Sequence, residues 1–197
     1  MQRLAAVPGY KPLLAARIVS ALMVWLDATV VFSLLAFHWG ADTTAAGVAA
    51  SLFVIPVLVG GPFFGWLADR GNPAAMLFAS YSARGITSLL LLMAPDLNVF
   101  VLLVMLKALA NASALPPEQV MVRSMLGHAQ LAANAGLMTA ADQITKVCAP
   151  LIAAGATSLY GPMSGLWLSA GLSLVAIGCL VPLRKARQHE AHCGWGH

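Results

Sequence analysis

Apolar residues run along this chain in long stretches, without the alternating or one-sided patterns of a soluble fold. A helix needs roughly 20 apolar residues to cross the hydrocarbon core of a bilayer. Six segments reach that length, at about 14–38, 45–67, 74–94, 98–117, 132–158 and 162–182. Polar residues collect between them, and the connections alternate in character. Those at 38–44, 94–98 and 159–162 contain no Lys or Arg. On the other side fall Arg3 and Lys11, then Arg70, Arg123, and finally Arg184, Lys185 and Arg187. Positive residues stay on the cytoplasmic side of a membrane. The pattern therefore predicts an even number of spans with both termini cytoplasmic. The first apolar run is longer than a signal-peptide core and no small-residue cleavage site follows it, so it is expected to be retained as a helix.

Composition agrees with a lipid environment. Hydrophobic residues make up 60% of the 197 and charged residues 9%, with a mean hydropathy of +0.83. A soluble domain carries about 25% charged residues. The net charge of +4 does not point to nucleic acid, because the basic residues form no cluster interleaved with aromatics. No phosphate-binding loop, zinc motif, nucleophile elbow or dinucleotide fingerprint is present, so neither an enzyme nor a bound cofactor or metal is expected. Cys148, Cys179 and Cys193 suggest no disulfide framework. Residues 184–197 are expected to form a polar cytoplasmic tail. Its His189, His192, Cys193 and His197 can ligate metal but match no standard zinc spacing.

A charge near mid-membrane costs at least about 2.5–3.5 kcal/mol on insertion scales and usually faces protein or water. Asp27, Arg84, Lys107, Asp142 and Lys146 lie inside the apolar runs. Asp27, halfway along the first, is a candidate proton carrier or counter-charge to a cationic substrate; the plainer role is an ion pair with Lys107 or Arg84. Asp142 and Lys146 stand four apart, so they share a helix face and can neutralise each other. Arg84 either pairs with a carboxylate or lines an access path. Pro56, Pro62, Pro116 and Pro150 fix or hinge their helices. The small residues Gly61, Gly65, Gly136, Ala140 and Ala153 permit close helix contact. Trp25, Trp39, Trp66 and Trp167 read as interface anchors or packing.

The second segment ends Gly65-Trp66-Leu67-Ala68-Asp69-Arg70-Gly71. This resembles the signature loop between helices 2 and 3 of the major facilitator superfamily, in the same cytoplasmic connection. The family continues with a glycine and two basic residues where Asn72, Pro73 and Ala74 stand here. Ala149-Pro150-Leu151-Ile152-Ala153-Ala154 is similar to the family's antiporter motif on helix 5, with alanines for glycines. Lys107 stands where the family often places a buried arginine in helix 4. Pro116-Pro117 and Leu131-Ala-Ala-Asn134 resemble the macrolide-efflux-like branch of drug exporters.

The resemblance covers roughly 12–183 and only the N-terminal half of a usual member. It implies an all-α membrane protein, six transmembrane helices forming half of the family's fold, in the plasma (inner) membrane. Gly65, Asp69 and Arg70 would act in a conformational latch. Helices 1 and 4 would line a central cavity, so that Asp27 and Lys107 face one aqueous space. The implied activity is proton-coupled efflux of a small amphipathic compound, working as a homodimer or with a separate C-terminal half. A non-transporting truncated half or accessory subunit is the alternative.

Overall fold

The computed structural model describes residues 9–40 and 42–193; the side chains from 182 onward, and a few near the starts of two helices, lie outside the described set. Expectations resting on Arg3, on the side chains of Arg184, Lys185 and Arg187, and on the 189–197 tract therefore fall outside the described residues.

The described residues form six long helices. They are α1 (Tyr10–Ser33), continued by a π-helical turn (Leu34–His38), α2 (Thr43–Arg70), α3 (Pro73–Leu92), α4 (Leu97–Met125), α5 (His128–Tyr160) and α6 (Ser164–Cys193). Local chemistry sets their ends. Gly40, at φ 56°, turns the chain after α1 in a conformation glycine adopts without strain. Asn72 Oδ1 accepts from the backbone N–H groups of Ala74 and Ala75 at 3.0 and 3.3 Å, and Pro73 takes the first helical position. Asn72 and Pro73, two of the three residues that depart from the family's loop, thus start α3. Asp96 caps α4 through Val99 N at 2.8 Å. That helix continues beyond the expected end at 117 because Glu118, Met121 and Val122 are buried against the bundle.

Among the described residues, five of these helices carry a stretch long and apolar enough to cross a membrane. α5 has the length, but Asn134, Asp142, Gln143 and Lys146 interrupt its apolar run.

The closest pairings are α2 with α4, α3 with α4, α1 with α6, α3 with α6 and α1 with α5. This pattern maps onto itself when α1, α2 and α3 exchange with α4, α5 and α6, as in two three-helix repeats. α3 and α6 sit at the back and α2 and α5 flank the front. Only 17% of the apolar stretch of α2 is buried, against 44% in α1 and in α4, so most of the α2 surface faces away from the bundle.

Two glycines allow the tight contacts. A Cβ on Gly165 of α6 would overlap the Val30 side chain of α1, and one on Gly85 of α3 would lie 3.0 Å from Ser173 Cβ of α6. The expected stripe positions behave differently. Nothing lies within 4 Å of a Cβ built at Gly61, Gly65 or Gly136, because these residues sit on the flanking helices, on faces turned away from the bundle. Ala153, by contrast, is buried in the core.

Two apolar clusters fill the bundle. One joins Leu13 and Ala16 of α1, Leu77 and Tyr81 of α3, and Met121 and Leu180 of α4 and α6. The other joins Leu26, Val30 and Leu34 of α1, Leu91 of α3, Phe100 of α4 and Leu166 of α6. Along α3, α4 and α6 the residues between the clusters are polar: Arg84, Thr87 and Ser88; Lys107 and Asn111; Ser169 and Ser173, all buried. A polar layer is thereby held at mid-bundle between two apolar ones.

Candidate functional site

The polar layer has two compartments. In the inner one, Asp27 of α1 and Lys107 of α4 form an ion pair, Oδ1 to Nζ 3.0 Å, with both side chains fully buried. α3 and α6 each add a hydroxyl. Ser169 donates to Asp27 Oδ1. Lys107 Nζ donates to Ser88, and to Ser169 at 3.2 Å. Ser88 is fixed by Arg84 O at 2.9 Å, one helical turn earlier. Four helices therefore meet on one charge pair. A buried pair stays charged only when hydrogen bonds satisfy its remaining atoms. Lys107 meets that condition, but Asp27 Oδ2 is buried without a partner.

The outer compartment is a cavity of about 400 Å³ between α1, α2, α4 and α5. Its walls are mainly apolar, with Val24, Phe53, Val57, Leu115 and Met138 among them. Its polar groups include Arg17, Ser20, Trp25, Arg84, Asn111, Glu118, Thr139 and Asp142. Both the volume and the mix of apolar walls with a few polar groups suit a small-molecule site.

Three clusters organise most of those groups. Glu118 Oε1 accepts from Tyr81 Oη at 2.8 Å, and its Oε2 lies 3.5 Å from Arg17 Nη1. Asp142 Oδ1 accepts from Trp25 Nε1 at 3.0 Å, and its Oδ2 lies 2.9 Å from Lys146 Nζ. Lys146 also donates to Gln143 and sits 4.9 Å from the Trp25 ring centre, a cation–π contact. Arg84 bonds Ser20 Oγ through Nη1 at 2.6 Å and Asn111 O through Nη2 at 3.2 Å, stacked 5.4 Å from the Tyr81 ring.

The structure thus joins Asp27 to Lys107 and Asp142 to Lys146, and leaves Arg84 in neither pair. It separates residues that sequence reasoning grouped. Arg84 and Asp142 line the cavity, whereas Asp27 and Lys107 do not; they lie sealed behind it in this conformation. Asp69 and Arg70 lie at the exposed end of α2, with Arg70 stacked 4.6 Å from the Trp66 ring. On α5, Ala149 and Ala153 are buried in the core, while Pro150 and Ala154 face outward.

Glu118, Arg17, Tyr81, Ser88 and Ser169 escaped the sequence reading. Glu118 follows Pro116-Pro117 directly, where the apolar run stops, and Arg17 sits near the start of the first run. Ser88 was open to inference, because it stands four residues after Arg84 and shares its helix face.

The sequence profile of the Major Facilitator Superfamily matches residues 13–192. An uncharacterised MFS-type transporter of Bacillus subtilis (strain 168), YfiS, is 24% identical over 163 residues. That alignment takes in 83% of this chain, and the chain spans 39% of the relative's length.

Proposed function

Since the chain belongs to the major facilitator superfamily, a family of membrane transporters, we propose that it acts as one half of a secondary active transporter. In this reading it couples proton entry to efflux of a small amphipathic compound across the plasma membrane, with both termini cytoplasmic. The observation that carries the reading is the cavity. It has apolar walls and buried charges, is partly open, and is flanked by α2 and α5, which make no strong mutual contact. A second six-helix unit, another copy or a separate chain, would close it. The two units would then rock about the site, as the halves of this family do.

Asp27 and Lys107 are the proposed coupling pair. Oδ2 of Asp27 has no partner and is the atom free to take a proton. Protonation would cancel the attraction across the 3.0 Å contact and leave Lys107 charged in a dry interior, an unfavourable state. That penalty would favour the conformation that admits water to the layer.

The test uses a variant that removes both charges, Asp27→Asn with Lys107→Met, so that no buried charge is stranded. In proteoliposomes it should retain downhill flux of a transported dye and lose accumulation driven by a pH gradient. Gradient-driven accumulation equal to the parent protein's would remove Asp27 from the coupling role.

A second reading, a non-transporting half or accessory subunit, draws on Asn72 and Pro73. They start α3, and with Ala74 they replace the glycine and two basic residues of the family's loop, which weakens the latch. No flux with any partner would favour it.

A further inference from the structure

The charges inside the bundle do not cancel. Among the described residues, each carboxylate at or behind the cavity has its own cation: Asp27 has Lys107, Glu118 has Arg17 and Asp142 has Lys146. Arg84 is the cation left over. It is 1% exposed, and among the described residues no carboxylate lies within ion-pairing distance of it. Its bonds go to a serine hydroxyl and a backbone carbonyl, and its Nε has no acceptor. A buried guanidinium held only by neutral groups is unfavourable unless an anion completes it.

Arg84 lines the inner wall of the cavity. Beside it, Asn111 Oδ1 is also buried without a partner and lines the same space. The two carboxylates there each already have a cation beside them. Both oxygens of Glu118 are taken by Tyr81 and Arg17, and both of Asp142 by Trp25 and Lys146. Among the described residues, the buried polar atoms of the lining left without a partner are therefore one on a charged donor, Arg84 Nε, and one neutral acceptor, Asn111 Oδ1.

We propose that the cavity selects an amphipathic monoanion, whose carboxylate (or similar oxyanion) binds Arg84 and whose apolar body lies against Val24, Phe53 and Met138. A hydroxyl or amide N–H near the anionic group would satisfy Asn111. Guanidinium suits this role because its planar fork matches a carboxylate and keeps its charge when buried. The inference rests on the transport reading for the use of the cavity, but its binding claim stands apart from flux.

Three probes of one shape separate the charge classes: naphthoate, its neutral methyl ester and naphthylmethylammonium. Binding is measured by equilibrium dialysis on the full chain in nanodiscs, with any partner that co-purifies. Naphthoate should bind at least about tenfold more tightly than the ester, the scale of a hydrogen bond to a charged group, and the ammonium should bind weakest. Arg84→Gln should erase the preference while Arg84→Lys keeps part of it, and thermal unfolding would verify that both variants are folded. Equal binding of the three, no binding, or a preference that survives Arg84→Gln overturns the proposal. Loss of the preference only when a second unit is present would mean that a carboxylate of that unit neutralises Arg84, which also overturns it. Arg84-dependent naphthoate binding without flux would sink the transport reading alone. Flux of a cationic dye unchanged by Arg84→Gln would sink this inference alone.

Discussion

Asp27 holds its two oxygens in different conditions. Oδ1 receives Lys107 and Ser169, while Oδ2 is buried with no partner. Asp27→Asn alone would therefore strand Lys107 as an unpaired cation, at a cost of about 3–5 kcal/mol. Its thermal midpoint in detergent should fall clearly below the parent's, and adding Lys107→Met should restore most of it. A single variant as stable as the parent would mean that water reaches the pair. Tyr81 plays a smaller part for Glu118. Tyr81→Phe removes the 2.8 Å donor to a buried carboxylate and should cost about 1–3 kcal/mol, read in the same unfolding assay. Little change would mean that Arg17, itself partly exposed, satisfies Glu118 without help.

At the scale of the helices, two kinds of glycine give opposite expectations. Gly165→Leu forces a side chain into Val30 and should destabilise the chain by about 1–3 kcal/mol through overpacking. A Cβ at Gly65 meets nothing within 4 Å, so Gly65→Ala should leave the unfolding midpoint unchanged. If the Gly65 face of α2 meets a second unit, the same change should break that complex. Equal destabilisation by the two would contradict this division of α1–α6 packing from outward faces.

The helices were legible because each holds a long apolar run, five of which, among the described residues, are long and apolar enough to cross a membrane, and the two i,i+4 charges of α5 announced their own pair. The split of the polar layer was not legible. Helix rotation decides whether Asp27 or Arg84 faces the cavity, and the apolar runs are so uniform that they mark no preferred face. The serines that complete the Lys107 cage give no signal of charge. Glu118 was hidden by Pro116-Pro117, since hydropathy ends a segment there and the helix does not.

At the scale of the molecule, a cavity bounded by α1, α2, α4 and α5 is partly open, and the chain spans 39% of the length of its relative. Both features fit a six-helix unit whose site is completed by another. Native mass spectrometry of the complex, released gently from membranes, tests this most directly. The account predicts a mass that contains a second six-helix unit, either twice the 20.5 kDa of this chain or this chain with a different partner. A lone chain, at protein concentrations where membrane complexes persist, would contradict it. Arg84 and the Asp27–Lys107 pair would then belong to a non-transporting membrane protein.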